Sequence, residues 1–195
     1  MLVAFEGIDG SGKSTQARKL YEHLTKKGLK VELLREPGST EGAERVRELL
    51  KNYAFLPEAE LLLFEAARAE LVRRRVLPAL REGKLVILDR FTLSTLAYQG
   101  YGRGLPLELI DELNRFASAG LRADAFVLLD LPVEEALRRI KRADRFEERS
   151  FLERVREGFL KLAERDERVL LVDAAGSEEE VFRRVLKALS GVLGV

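Results

Sequence analysis

The fold is decided by one stretch near the start of the chain, Gly7-Ile8-Asp9-Gly10-Ser11-Gly12-Lys13-Ser14-Thr15. Its spacing (a glycine, four residues, then Gly-Lys-Ser) is the P-loop pattern, which lies between a strand and a helix. An apolar run at residues 2–5 supplies the strand, and apolar residues at helical spacing follow the lysine. Glycines allow a tight turn whose N–H groups point inward, and the helix N-terminus adds positive potential. The stretch therefore predicts a phosphate-binding loop.

Each part of this loop has an expected partner on a nucleoside triphosphate. Lys13 is expected to reach the β- and γ-phosphates of ATP, and the hydroxyl of Ser14 is expected to ligate Mg²⁺. The alternative is a glycine-rich, left-handed turn that binds nothing. The ATP-binding prediction covers Gly7, Ile8, Asp9, Gly10, Ser11, Gly12, Lys13, Ser14 and Thr15.

The composition narrows the class of protein. The 195 residues are 46% hydrophobic and 34% charged, which predicts one globular domain spanning residues 1–195. A net charge of +1 gives no general attraction to nucleic acid or to a membrane. With no cysteine and one histidine, thiolate zinc sites and histidine-rich metal sites are excluded. The start of the chain shows no signal-peptide pattern, and no apolar run is long enough to span a membrane, which predicts a cytoplasmic protein.

Short apolar runs alternate with helical patterns along the chain. The runs at residues 2–5, 30–34, 85–88, 125–129 and 169–172 are expected to be strands. Such alternation indicates βαβ units with a parallel sheet covered on both faces. We therefore expect an α/β fold of the P-loop NTPase kind: three layers (α/β/α), with a five-stranded parallel sheet flanked by helices, like a nucleoside monophosphate kinase.

Two irregular places are expected in the helices. Pro78 lies inside a long helical pattern at residues 58–82, so we expect a kink or a split near Leu77. Further along, a helix is expected to run through Tyr98 and to be followed by a loop from Gly100 to Gly104.

Polar segments follow the strands, and ligands of such sheets bind at the carboxyl ends of the strands. Residues 35–40, Asp89, Arg90 and residues 173–177 should therefore converge on one rim. Asp89 is expected to organise the metal, although it could simply cap the next helix. Arg90 is expected to bind phosphate through its fork of donors. Residues 173–177 form a candidate adenine loop.

A dense basic group comes after the fourth strand, with six basic residues against three acidic ones. Its members are Arg138, Arg139, Lys141, Arg142, Arg145 and Arg149. One interpretation is a mobile lid at about residues 138–150 that closes over the phosphate donor and brings positive charge to it. The other interpretation is a solvated helix face with ion pairs.

The sequence offers no evident pair of a general base and a hydroxyl nucleophile. A nucleoside monophosphate needs none as acceptor, because its phosphate is already ionised, with a second pKa near ~6. Phosphoryl transfer then depends on positioning, Mg²⁺ and positive charge. The chain also lacks the Asn-Lys-x-Asp motif typical of guanine-nucleotide switch proteins.

Four motifs together resemble those of the thymidylate kinase family. They are Phe-Glu-Gly at the start of the P-loop, Arg-Glu-Pro-Gly-Ser-Thr at residues 35–40, Leu-Phe-Glu-Ala-Ala-Arg at residues 63–68, and Asp-Arg-Phe with Ala-Tyr-Gln-Gly at residues 89–100. The resemblance extends from residue 2 to about residue 175. It implies an enzyme that uses ATP and Mg²⁺ to convert dTMP to dTDP, and that is a homodimer.

The resemblance also implies which residues face the sugar and the phosphate of dTMP. Asp9 matches the acidic P-loop residue that faces the sugar 3′-hydroxyl in the family. Arg47 and Arg90 match residues that grip the acceptor phosphate. Tyr98 would press on the 2′ carbon and disfavour ribose, although core packing is the alternative for this side chain.

The same resemblance implies contacts to the base. Phe64 would stack on thymine, with core packing as its alternative, Arg68 would donate to O4, and Thr95 would contact the ring imide. Gln99 lies beside this site. The predicted substrate-binding residues are Asp9, Glu36, Arg47, Phe64, Arg68, Arg90, Ser94, Thr95, Tyr98 and Gln99.

Relatives differ in where they carry a catalytic arginine. Some place it in the P-loop, where this chain has Gly10, and others use arginines of the lid. The chain therefore resembles the lid type, and Arg142 and Arg145 are expected to reach the transferred phosphoryl group. The predicted catalytic residues are Lys13, Asp89, Arg90, Arg142 and Arg145, and the predicted metal ligands are Ser14 and Asp89.

Three other functions stay open at the level of sequence. A deoxynucleoside kinase could use Glu36 as its base, but Arg47 and Arg90 fit a phosphate acceptor better. A regulatory P-loop module would need Lys13 but not the remaining motifs. A nucleic-acid-binding protein could use residues 138–149, which the net charge of +1 disfavours. The apolar helix at residues 61–72 is expected to form the dimer interface with its neighbours.

Overall fold

The structure is a computed structural model that describes residues 1–140 and 146–193. Five parallel strands form its single described sheet, in the order β2-β3-β1-β4-β5. The strands are β1 (Leu2–Glu6), β2 (Val31–Arg35), β3 (Leu85–Asp89), β4 (Ala125–Asp130) and β5 (Val169–Asp173). The predicted five-stranded parallel sheet is therefore confirmed.

The central strand owes its place to its residues. β1 is buried along its whole length and pairs with β3 on one side and β4 on the other. Its partners β3 and β4 are also apolar runs that are buried almost throughout, as expected for strands covered on both faces. Glu6, the last residue of β1, carries a carboxyl group but is as fully buried as the apolar residues before it.

Nine helices surround the sheet within the described ranges. They are α1 (Lys13–Lys26), α2 (Glu41–Asn52), α3 (Pro57–Leu71), α4 (Leu77–Arg81), α5 (Thr92–Thr95), α6 (Leu107–Ala117), α7 (Val133–Arg139), α8 (Phe146–Ala163) and α9 (Glu178–Leu193). β3 contacts both α1 and α4, and β5 contacts both α8 and α9, so the helices flank the sheet. None of the helices in the described ranges is long and apolar enough to cross a bilayer.

The irregularity expected near Pro78 takes the form of a π-helical turn. Residues Val72–Val76 are π-helical and lead directly into α4. The N–H of Leu77 donates to the carbonyl of Val72, five residues back. Pro78 has no N–H for the carbonyl four residues earlier, so a widened turn just before it is an economical way to continue the helix.

The prediction of a loop from Gly100 to Gly104 is wrong for the first half of that range. A second π-helical segment, Leu96–Gly102, continues directly from α5. The glycines there serve close packing. A Cβ on Gly100 would lie 2.4 Å from the Leu107 side chain, and one on Gly102 would lie 2.7 Å from the ring of Phe151. Sequence reasoning took these glycines as signals of a turn, whereas neighbouring side chains fill the space that they leave.

Candidate active site

A cavity of about 1090 Å³ opens at the carboxyl ends of the strands. We call it the donor cavity. Residues 9–15 of the P-loop line it, opposite Asp89 and Arg90 after β3 and the loop that begins at Ala174 after β5. Gly7 and Ile8 lie behind the wall and contribute carbonyl oxygens to internal contacts. The expected convergence of strand ends on one rim is what the structure shows.

Two glycines give the loop its shape because other backbone lies against them. Gly7 has φ +137°, and a Cβ there would lie 2.5 Å from the carbonyl oxygen of Leu129. Gly10 has φ +84°, and its Cβ would lie 2.5 Å from the carbonyl oxygen of Ala136 in α7. A side chain at Gly10 is therefore disfavoured by the backbone of α7 as well as by its left-handed conformation.

The Lys13 ammonium is held inside the loop. Its side chain is 6% exposed, and Nζ donates to the carbonyl oxygen of Ile8 at 2.7 Å. Burial lowers the pKa of Lys13 to about 7, helped by the nearby Arg90 guanidinium and opposed by the carboxylates around it. A polyphosphate in the cavity would restore the charge of this lysine, because an adjacent anion favours the protonated form.

Ser14 and Asp89 form a pair of oxygen donors at the floor of the cavity. The Ser14 hydroxyl donates to Asp89 Oδ2 at 2.5 Å. The described residues contain no cluster of three or more histidine, cysteine, aspartate or glutamate side chains that could cage a metal. One hydroxyl and one carboxylate beside a phosphate cavity fit Mg²⁺, which binds few protein oxygens and keeps waters and substrate phosphates as ligands.

A second cavity of about 560 Å³, the acceptor cavity, lies beside the first. All ten residues that the sequence predicts for the substrate line it, although they are spread from residue 9 to residue 99. Six residues line both cavities and so form the wall where the two meet: Asp9, Gly10, Glu36, Arg47, Arg90 and Ile140. Two nucleotides bound in these cavities would bring their phosphates together at this wall.

Arg90 is the centre of the shared wall. It has φ +74°, a left-handed conformation that is uncommon for a residue with a side chain. Its guanidinium forms an ion pair with Asp9, donates to Ser94 Oγ at 3.0 Å and stacks 4.9 Å from the ring centre of Tyr98. Burial opposes its charge, but Tyr98 and Asp9 outweigh this and raise the pKa of Arg90, so the group stays cationic.

Arg68 lies at the base of the acceptor cavity in a network of buried charges. Its Nε donates to Glu36 at 2.9 Å, Nη1 to Glu65 at 2.9 Å and to Asn114, and Nη2 to Thr95 Oγ1 at 2.8 Å. Burial raises the pKa of both glutamates, and Arg68 only partly offsets it. The two glutamates in turn outweigh burial at Arg68 and raise its pKa.

Three buried side-chain oxygens in the described part of the chain have no hydrogen-bond partner. They are Ser11 Oγ, Gln16 Oε1 and Glu36 Oε1, and all three residues line the donor cavity. Leaving such a group unpaired costs about 1–3 kcal/mol. The cost is concentrated where a ligand can supply the partner, as expected of a binding site.

The basic group after β4 is only partly within the described residues. Arg139 and Arg149 form ion pairs with Glu135 and Glu134 on α7, as the ion-pair interpretation predicts, whereas Nε of Arg138 donates to the backbone carbonyl oxygen of Glu134. Arg139 also lines the donor cavity and donates to the carbonyl oxygen of Ala174 at 3.0 Å. The predictions for Arg142 and Arg145 lie outside the described residues.

Residues 173–177, the loop expected to contact adenine, lead into the N-terminus of α9. Ser177 caps α9, because its N–H donates to Glu180 Oε2 at 2.8 Å while Glu180 N–H donates back to Ser177 Oγ at 3.4 Å. Ala174, Gly176 and Ser177 line the donor cavity.

Sequence reasoning assigned no role to three residues that the structure ties to the site. Glu65 and Asn114 hold Arg68, and Glu6 lies buried directly before the P-loop. Charged residues within apolar runs were the available signal for Glu6 and Glu65. Nothing local distinguishes Asn114, whose partner is 46 residues away.

Comparisons with known proteins agree with this geometry. A family model described as thymidylate kinase matches residues 5–185. The thymidylate kinase of Kosmotoga olearia is 44% identical over 96% of this chain and 94% of its own, and that of Pelotomaculum thermopropionicum is 47% identical over 98% and 93%. A crystal structure of thymidylate kinase from Ehrlichia chaffeensis superposes with a TM-score of 0.84 at 34% identity, covering 97% of this chain and 98% of that one.

Proposed function

The chain belongs to the thymidylate kinase family, and on this premise we propose how its two cavities divide the work. The family activity is ATP-dependent phosphorylation of dTMP to dTDP, so the chain is a nucleoside monophosphate kinase. In our proposal ATP occupies the donor cavity and dTMP occupies the acceptor cavity. The observation that carries this assignment is the wall that both cavities share, with Arg47 and Arg90 on it.

The shared wall is where the phosphate of dTMP would meet the γ-phosphate of ATP. Arg90 would grip the acceptor phosphate, and its contact with Asp9 fixes the guanidinium before the substrate arrives. Arg47, which donates to the carbonyl oxygen of Pro37 at 3.0 Å, would be the second grip. Asp9 would accept a hydrogen bond from the sugar 3′-hydroxyl, and the Tyr98 ring would pack against the 2′ carbon.

The remaining acceptor residues would recognise the base. Phe64 would stack on thymine from α3, while Thr95 and Gln99 would face the ring edge from the helix that follows Arg90. Arg68 has each of its three nitrogens engaged with protein acceptors. Its donation to O4 would therefore be a shared hydrogen bond, in which one N–H serves both thymine and a protein oxygen.

No proton needs to be taken from the acceptor in this reaction. The phosphate of dTMP is a dianion above a pKa near ~6 and attacks directly. Lys13, the P-loop amides and the arginines would stabilise the charge on the transferred group. Glu36 accepts a hydrogen bond from the buried guanidinium of Arg68, which suits a structural acceptor better than a base.

Mg²⁺ is the metal that the donor cavity fits. Ser14 and Asp89 would hold it, and when bound it would supply positive charge to the phosphates of ATP. The chain itself positions those phosphates through the loop amides. Arg142 and Arg145, in a lid at about residues 138–150, would complete the positive charge on the other side.

The assembly we propose is a homodimer formed through α3 and its neighbours. α3 packs between α2 and α6. Exposed apolar side chains cluster on these helices, notably Leu62 at 57% and Phe116 at 77% exposure. Light scattering should give a dimer, and Phe116→Glu should convert it to monomer, whereas Leu29→Glu at an exposed turn should not. A wild-type monomer at micromolar concentration would contradict this assembly.

A substrate panel tests the assignment of the acceptor cavity. With ATP and Mg²⁺, ADP release should follow dTMP strongly, the ribose analogue of dTMP weakly and thymidine not at all. Turnover of thymidine without turnover of dTMP would favour the deoxynucleoside kinase alternative, and ATP binding without any dTMP-dependent ADP release would favour the regulatory module.

We propose that the enzyme works in the cytoplasm.

A further inference from the structure

Glu6 is a buried carboxylate for which the proposed reaction has no role. It is the last residue of β1 and is fully buried, directly before the P-loop. A charged group in such a place is expensive unless hydrogen bonds and opposite charges compensate it. The groups that compensate the buried charge of Glu6 connect this residue to the site beside it.

Three donors converge on the two carboxylate oxygens of Glu6. Oε1 accepts from the N–H of Phe91 at 2.9 Å and from the N–H of Ser94 at 3.3 Å. Oε2 accepts from the hydroxyl of Ser94 at 2.5 Å. These N–H groups belong to Phe91, the residue directly before α5, and to Ser94 in its first turn, so a residue 85 positions earlier than Phe91 in sequence caps this helix.

The contact to the Ser94 hydroxyl connects Glu6 to Arg90. Ser94 Oγ gives its hydrogen to Glu6 and accepts from Arg90 Nη1 at 3.0 Å. The carboxylate fixes the direction of the hydroxyl hydrogen and so leaves a lone pair of Ser94 facing the guanidinium. Arg90 has a left-handed backbone, φ +74°, immediately before the helix that Glu6 caps. Two contacts from one carboxylate thus hold both the backbone and the side chain of this arginine.

We propose that Glu6 is a positioning residue for dTMP: it orients Arg90 toward the acceptor phosphate through Ser94 and through the start of α5. This inference rests on the proposed function, in which Arg90 grips that phosphate. Glu6 itself touches neither substrate. Its removal should therefore weaken dTMP binding while leaving the ATP side of the site intact.

The charged groups that face Glu6 come from three elements. Arg90 lies after β3, Lys13 at the start of α1 and Arg68 on α3, and each interacts electrostatically with the carboxylate. Burial raises the pKa of Glu6 to about 7, against the hydrogen bonds of Ser94 and the charge of Arg90. Protonation near neutral pH would therefore weaken its hold on the Ser94 hydroxyl and on α5.

The test compares wild type with Glu6→Gln, which keeps the shape of the side chain. An amide offers one acceptor and two donors, so it cannot satisfy the three donors that converge on Glu6. We expect KM and Kd for dTMP to rise about tenfold with KM for ATP unchanged, the size of one lost hydrogen bond to a charged group. Wild type should also lose dTMP affinity below about pH 7 beyond the titration of dTMP itself, and the variant should lack that extra limb.

Three further variants make the result decisive. Ser94→Ala should reproduce the dTMP defect, and the double variant should be no worse than either single one, because both break one chain of contacts. Val86→Ala, a cavity in the same sheet away from the site, should lower Tm without raising KM for dTMP. If Glu6→Gln behaves like Val86→Ala, or keeps wild-type dTMP affinity and pH dependence, the inference is overturned.

Arg90→Lys separates this inference from the proposed function. If that variant binds dTMP as wild type does, the proposed role of Arg90 fails, and this inference fails with it. If it binds dTMP poorly while Glu6→Gln binds normally, only the role of Glu6 fails.

Discussion

The donor and acceptor cavities share a wall, yet they are built in different ways. The donor cavity is organised around one continuous loop, residues 9–15, which carries the buried Lys13. The acceptor cavity is mainly side chains, drawn from residues 9 to 99 and braced by a network of buried charges around Arg68. The first depends on the conformation of glycines, and the second depends on partners that fold around it.

The two cavities also differ in how their charges are balanced. The ammonium of Lys13 donates to the carbonyl oxygen of Ile8, and burial works against its charge. Arg68 is surrounded by Glu36, Glu65, Asn114 and Thr95, and oxygen atoms of all four side chains accept hydrogen bonds from its guanidinium. The donor cavity therefore gains from the charge of its ligand at Lys13. At the base of the acceptor cavity, Arg68 has its counter-charges before a ligand binds, so this end of the cavity is suited to selection by shape and hydrogen bonding.

The largest effect should come from breaking the acceptor network. Arg68→Met leaves Glu36 and Glu65 buried without their counter-charge, and we expect about 3–5 kcal/mol of lost folding stability in urea unfolding. Arg103→Met is the matched control, because its ion pair with Glu60 is partly exposed and should be worth about 0–1 kcal/mol. Similar losses in the two variants would show that the buried network does not brace the fold.

Removing the charge of Lys13 in the donor cavity should lower the catalytic rate without lowering folding stability. Lys13→Met removes a positive charge from the transferred phosphoryl group, and we expect kcat to fall by about 10²–10³-fold in an ADP-release assay. Folding stability should not fall, because burial already disfavours this charge in the free protein. Lys19→Met, on the same helix but paired with Glu179, is the control and should keep full activity. A stability loss at Lys13 as large as that at Arg68 would remove the contrast between the cavities.

This contrast explains what the sequence could predict. The sheet, the strand ends and the donor loop follow from local patterns. Apolar runs, glycines and Lys13 can each be interpreted from the few residues on either side of them. The substrate residues could be named only through a resemblance to a family. No spacing rule brings Glu36, Phe64 and Thr95 to one cavity, because the fold that joins them is tertiary.

The errors of sequence reasoning have the same origin. Gly100 and Gly102 looked like a turn, but the side chains of Leu107 and Phe151 occupy the space beside them. Glu6 and Asn114 escaped notice because their partners are 85 and 46 residues away. A local pattern indicates which element a residue joins, and only packing decides what its side chain meets.

A side chain added at Gly10, in the wall between the cavities, should lower folding stability by a moderate amount because it contacts the backbone of α7. Gly10→Ala adds a Cβ 2.5 Å from the carbonyl oxygen of Ala136, at φ +84°, and we expect about 2–3 kcal/mol of lost stability. Gly12→Ala is the matched control, with φ +93° and no atom within 4 Å of the added Cβ, so it should show only the cost of the left-handed backbone, about 1–2 kcal/mol. Equal losses would mean that α7 yields to a side chain at Gly10, and an arginine there would then be tolerable.

The smallest effect, and the one that isolates a single charge, is the pH dependence of stability. Burial lowers the pKa of Lys13 to about 7 in the folded chain, so between about pH 7 and its ordinary value of 10.5 the unfolded chain binds the extra proton. Stability should therefore rise with pH in that window by at most about 1.4 kcal/mol per pH unit. Between pH 7.5 and 9, where Tm is measured without nucleotide, the rise is at most about 2 kcal/mol. Lys13→Met should lose this rise while Lys19→Met keeps it, and ATP should flatten it in wild type by restoring the charge of Lys13. A rise that survives in Lys13→Met would assign the titration to another group and leave the donor cavity without its uncompensated charge.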